Sequence, residues 1–145
     1  MSKIQRFTAP ARFDQLQHIA ALAVEAAKQV GFDATQQSRI ELAIDEACSN
    51  IIEHAYAGEA GQIYIEVETE PNHYLRIVLS DTGRIFAPDQ IPIYVPCTPA
   101  TDVASLKVGG LGLHLMRQTM DDVCFEFNVP GHRGVFNRLT MIKRL

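Results

Sequence analysis

The chain has 145 residues, 47% hydrophobic and 21% charged, with 13 Lys and Arg against 17 Asp and Glu for a net charge of −4. That balance fits an ordinary globule with one buried core, so a single domain over residues 1–145 is expected, and it speaks against direct nucleic-acid binding through a broad basic face. No run of about 18 apolar residues exists to span a membrane, MSKIQRFTAPARF lacks an apolar signal core, and Cys48, Cys97 and Cys124 are scattered without metal or redox spacing, so free thiols in a cytoplasmic protein are expected.

In chain order, Ile4 to Phe7 reads as a short edge strand, and Pro10 separates it from the first helix. Leu16, Ile19, Ala23, Ala27 and Val30 recur at helical spacing, predicting a helix over Asp14 to Val30 that stops at Gly31. Asp33 with Gln36 three residues later has the form of a capping box and opens a second helix running to about Tyr56, where Gly58 and Gly61 turn the chain. Ile63, Ile65 and Val67 alternate with Tyr64, Glu66 and Glu68, the pattern of a half-buried strand. After Pro71-Asn72, Leu75, Ile77 and Leu79 begin a second one, and so short a turn predicts an antiparallel hairpin.

Ala87 to Pro99 contains Pro88, Pro92, Pro96 and Pro99, so irregular structure is expected there and on to Lys107. An irregular loop of about twenty residues inside a compact domain is unusual and suits a lid, here at about 84–108. Gly109-Gly110-Leu111-Gly112 leads into a helical pattern with Leu113, Met116 and Met120; Val123, Phe125 and Phe127 alternate as a strand. Pro130 to Gly134 turn the chain into a last strand, Val135 to Ile142. The order β-α-α-β-β-lid-α-β-β with tight turns predicts an α+β fold: a two-layer α/β sandwich whose largely antiparallel, mixed sheet has helices on one face.

Four features could carry chemistry. Glu46 and Asn50 lie four apart and so on one helix face, close to an apolar stripe of Ile40, Ala43, Ile44, Ala47 and Ile51. They are either a solvated face or a general base beside a ligand for a hard cation such as Mg²⁺. Asp81-Thr82-Gly83 at a strand end is either an ordinary turn or a carboxylate that accepts from an exocyclic amine, with glycine letting a ligand near the backbone. The Gly109–Gly112 cluster is either a flexible joint or a helix start whose unpaired N–H groups hold phosphate; no Lys-Ser/Thr pair follows, so it is not a P-loop. Thr140 alone is a plain β-branched strand residue. His54 near a helix end reads as a cap or packing residue, and His18, His73, His114 and His132 share no metal spacing.

Taken together and in this order, the stretches ELAIDEACSNIIEHAY, LSDTGRIFAP and VGGLGLHLMRQTMDDV resemble the N box and two glycine boxes of the GHKL ATPase/kinase superfamily with the Bergerat fold. Within it, the chain is similar to the partner-switching anti-sigma factor serine kinases, from the Pro10 region to NRLTMIKRL. The resemblance implies an ATP-dependent protein serine kinase in which Glu46 is the general base and Asn50 holds Mg²⁺. Asp81 would accept from the adenine amine and Gly83 allow approach to the base. Gly110, Leu111, Gly112 and Leu113 would present backbone donors to the phosphates, with Lys107 in reach of them, and Thr140 would support the adenine pocket. It implies as partners a STAS-domain anti-sigma factor antagonist, phosphorylated on serine, and a sigma factor or other regulated protein. It also implies a homodimer, for which Ile4, Phe7 and Phe13 are candidate contacts. The alternative is a non-catalytic module of the same fold that binds ATP or sequesters a partner. Two departures fall at the lid hinge: Ile85 stands where a DxGxG motif has its last glycine, and Ala87 follows Phe86 where an acidic residue is common.

Overall fold

The computed structural model describes residues 1–84, 95–99, 116, 118–131 and 134–145. Six strands form one sheet: β1 (Lys3–Pro10), β2 (Gln62–Glu70), β3 (Tyr74–Asp81), β4 (Val95–Pro99), β5 (Asp122–Gly131) and β6 (Gly134–Arg144). Their order across the sheet is β1-β2-β3-β6-β5-β4, and every neighbouring pair is antiparallel. Among the described residues, two helices, α1 (Leu16–Val30) and α2 (Ala34–Asn50), pack on one face, giving the expected two-layer α+β arrangement. The helical pattern around Met116 lies mostly outside the described residues, although Met120 N donates to Met116 O at 2.8 Å as a helical turn would.

Strand periodicity decides which face is inside. Ile63, Ile65 and Val67 of β2, Leu75, Ile77 and Leu79 of β3, and Leu139 and Met141 of β6 are buried beneath the helices. Each such aliphatic side chain contributes about 1.5–3 kcal/mol of transfer free energy. The alternate residues of the central strands form the other face, where Arg6 and Arg76 meet Glu66 at 3.1 and 3.0 Å and Arg138 meets Glu126 at 3.2 Å. Alanines at 20, 23, 26 and 27 let α1 lie close to α2 and the sheet. Gly31 ends α1 at a φ of 115°, its N–H donating to Ala27 O and Lys28 O, as its position predicts.

The structure corrects three expectations. Val95–Pro99, expected to be irregular because of its prolines, is strand β4. It lies at the sheet margin and, among the described residues, pairs only with β5, and an edge strand tolerates proline because only one side needs its backbone donors. Phe7, a candidate dimer contact, stands opposite Ile65 and packs partly buried against the core, whereas Ile4 and Phe13 are exposed. Cys48 is a free buried thiol, but Cys124 is disulfide-bonded. The β4–β5 pairing, with Val95 opposite Phe125 and Thr98 opposite Val123, joins stretches whose proximity cannot be read from sequence spacing.

Candidate functional site

Helix α2 forms one wall. The Asp33 side chain accepts from Gln36 N at 2.8 Å and fixes its start. Ile40, Ala43, Ile44 and Ala47 bury its stripe against the sheet, and Asn50 on its edge is only 5% exposed. Asn50 therefore does not face water. Glu46, one turn earlier, is half-buried and has no hydrogen-bond partner among the described residues. The neighbouring Asp45 carboxyl is held above its ordinary range by burial and then by the charges of Glu41 and Glu46.

Directly after Asn50 the helix widens into a π-helical turn, Ile51–Ala55, with Tyr56 N donating to Ile51 O at 3.0 Å. Such turns insert a residue into the helix and often stand at functional positions. Here the turn swings the helix end onto the segment after β3. Ala55 O accepts from Arg84 N at 2.9 Å and His54 O from Arg84 Nε at 2.8 Å. A Cβ on Gly83 would sit 2.4 Å from Ala55 O, so Gly83 is required by this contact within the chain itself, a reason separate from ligand approach. Tyr56 closes the joint: its hydroxyl donates to Gln62 O at 2.6 Å and accepts from Thr82 N at 2.9 Å.

Asp81 ends β3 at 3% exposure. Its Oδ1 accepts from Gly83 N at 2.9 Å and from Asn137 Nδ2 at 3.0 Å. Burial pushes the carboxyl above its ordinary pKa, and these two hydrogen bonds oppose the rise. Asn50 and Asp81 line one cavity with Ala47, Leu79, Met116 and Phe125 among its apolar walls. The cavity is tight, with about 10 Å³ open to a water-sized sphere, so a larger occupant has to part its walls.

The fold thus brings Asn50, Asp81 and Gly83 together, with Glu46 one helical turn from Asn50. It does not bring Thr140 to them. Thr140 stands opposite Val78 and Cys124 on the other face of the sheet, while Asn137 stands opposite Asp81. Lys107, Gly110, Leu111, Gly112 and Leu113 lie outside the described residues. Asn137 and Tyr56 carry no role in the sequence reading. Alternation puts Asn137 on the same strand face as Val135, Leu139 and Met141, and a polar residue on that apolar face is the signal that could have found it, whereas an aromatic at a helix end signals nothing until packing is known. Among the described residues no cluster of three or more His, Cys, Asp or Glu could hold a metal, and no helix is long and apolar enough to cross a membrane.

The histidine kinase-like ATPase domain family matches residues 9–143, and the chain belongs to it. It is similar to the serine-protein kinase RsbW of Bacillus subtilis strain 168, 33% identical over 116 residues that cover 79% of this chain and 69% of that protein. The RsbW of Bacillus velezensis is 33% identical over 104 residues, covering 70% of this chain and 64% of its own length. The RsbW of Bacillus thuringiensis strain Al Hakam is 32% identical over 115 residues, 79% and 71% of the two chains.

Proposed function

We propose that this chain is an ATP-dependent protein serine kinase that acts as an anti-sigma factor in a partner-switching module. The observation that carries the reading is the shared cavity of Asn50 and Asp81, two motif residues from distant stretches of sequence. Asp81 accepts from the exocyclic amine of adenine. Asn50 supplies a neutral amide oxygen. One protein amide suits Mg²⁺, which keeps most of its ligands from phosphates and water. Mg²⁺ there would neutralise charge on the transferring phosphoryl group.

Glu46 accepts the proton of a substrate serine hydroxyl. The serine oxygen forms a bond to the γ-phosphorus, the bond from that phosphorus to the bridging oxygen breaks, and ADP leaves with the electron pair. Gly110, Leu111, Gly112 and Leu113 donate backbone N–H groups to the phosphates, and Lys107 adds a positive charge. The substrate we propose is a STAS-domain antagonist. Its new phosphoserine carries about −1.5 to −2 charges and disfavours rebinding to an acidic surface such as that around Glu41, Asp45 and Glu46. The released kinase then holds a sigma factor or another regulated protein. The family membership and the RsbW relatives support this cycle, which we assign to the cytoplasm.

Incubation of the chain with γ-labelled Mg-ATP and a cognate STAS-domain protein tests the reading. Label on one serine of the antagonist is expected. Nucleotide binding by calorimetry with no transfer would instead favour a non-catalytic binding module.

A further inference from the structure

Cys124 has no role in the kinase reading, yet it is disulfide-bonded, while Cys48 is a free thiol. The chain has three cysteines, and the third, Cys97, lies in β4. Strand register sets these two positions against each other. Val95 stands opposite Phe125 and Thr98 opposite Val123, so Pro96 and Cys97 together face the single residue Cys124 in a β-bulge. Among the described residues β4 is held to the sheet only through β5, and the bulge interrupts that ladder. Cys124 stands opposite Thr140, on the sheet face away from the helices, and is 2% exposed. Its neighbour Phe125 points the other way, into the core, where it walls the cavity shared by Asn50 and Asp81. That cavity is too tight for a base until its walls part, so the freedom of β5 and its edge partner bears on what can enter. In the sequence, positions 97 and 124 also bracket Lys107 and the Gly109–Gly112 cluster.

We propose that Cys97 and Cys124 are a thiol–disulfide switch that governs nucleotide binding, with a low-molecular-weight disulfide as the oxidant. One cysteine thiolate attacks a sulfur of the small disulfide, whose S–S bond breaks and releases one thiolate. The second cysteine thiolate then attacks the protein sulfur of the mixed disulfide. The Cys97–Cys124 bond forms, and the other half of the reagent leaves as a thiolate. Two protein thiols are thus oxidised, one reagent disulfide is reduced to two thiols, and the two cysteine protons end on those thiols. In a reducing compartment such as the one assigned above, disulfides are transient and redox-sensing rather than standing supports. Once formed, the bond pins the edge strand across the Phe125 segment and resists parting of the cavity walls. It also closes the stretch proposed to hold phosphate into a covalent ring. The oxidised chain is therefore the weak binder of Mg-ATP and the reduced chain the strong one. The inference rests on the nucleotide reading above and adds a control which that reading does not contain.

The test compares the full chain equilibrated with oxidised glutathione and with dithiothreitol, each reagent removed before measurement. Thiol titration in denaturant is expected to find three thiols in the reduced chain and one in the oxidised chain, and peptide mapping to join the Cys97 and Cys124 peptides. Calorimetry is expected to give the oxidised chain an Mg-ATP affinity at least about tenfold weaker, restored by dithiothreitol. Cys97→Ser and Cys124→Ala are expected to bind like the reduced wild type under both conditions. Cys97→Ser, at the sheet edge, carries the comparison if the Cys124 variant does not fold. Cys48→Ala is expected to keep the redox response. Absence of the Cys97–Cys124 linkage, equal or tighter binding by the linked chain, or a response that persists in Cys97→Ser overturns the proposal. If the reduced chain binds no Mg-ATP, the nucleotide reading itself falls and the inference with it.

Discussion

Asp81 is asked to be both buried and charged. Burial raises its pKa, while Asn137 Nδ2 and Gly83 N stabilise the ionised form that an amine donor would meet. The sign of the consequence comes from linkage. The folded chain holds this proton more tightly than the unfolded chain, so ionisation costs stability as pH rises through the folded-state range. The cost is absent below the ordinary carboxylate range. Asp81→Asn is expected to abolish ATP binding and yet to melt above the wild type at neutral pH, with the gap closing as the pH falls below about 4. Thermal unfolding of both proteins across pH checks this, and a gap that does not change with pH would remove the buried-charge account. The Glu46/Asn50 pair is legible as a pair from its spacing alone. Whether it faces water is not, because burial depends on the sheet beneath, and it is the 5% exposure of Asn50 that decides against the solvated reading for that residue. Thr140 illustrates the opposite case: alternation along its strand already sets it on the face away from Asn137, Leu139 and Met141, and the register places it opposite Val78, away from Asp81.

The element that joins the site is the π-helical turn Ile51–Ala55 with the Asp81–Arg84 segment docked on it. Helical periodicity runs straight through this stretch to Tyr56 without a sign of the change, because a single inserted residue barely disturbs an apolar pattern. Two substitutions probe the joint. Tyr56→Phe leaves Gln62 O and Thr82 N without their partner and is expected to cost about 1–3 kcal/mol. Gly83→Ala forces a methyl group onto Ala55 O and is expected to cost about 1–3 kcal/mol through displaced backbone, with weaker ATP binding as Asp81 moves. Urea unfolding and calorimetry measure the two effects. A Gly83→Ala protein of wild-type stability and affinity would mean that the close contact is easily relieved. The β2–β3 hairpin, by contrast, is readable in full, because alternation and the Pro71-Asn72 turn specify both its faces and its register; Asn72 adopts a φ of 66°, which suits a turn residue. Strand β4 is unreadable for the reason that also makes it possible, its position at an edge.

At the scale of the whole molecule, the two-layer arrangement is predictable because two periods, of helix and of strand, each leave one apolar face to be covered. Assembly is less visible in sequence. With Phe7 packed inward, the exposed apolar groups near the N-terminus include Ile4 and Phe13, on β1 and on the short helical turn Phe13–Gln15. We expect a homodimer, which light scattering at micromolar concentration checks, a monomeric mass being the contrary result. Catalysis as proposed combines three parts: a base-binding end at Asp81, a Mg²⁺-binding amide at Asn50 and a proton acceptor at Glu46. A paired measurement on Glu46→Gln bears on it most closely: Mg-ATP affinity by calorimetry and transfer of labelled γ-phosphate to the STAS-domain antagonist. Affinity within about twofold of wild type is expected, with transfer reduced by at least about 10²-fold. Undiminished transfer would contradict the assignment of Glu46 as the base.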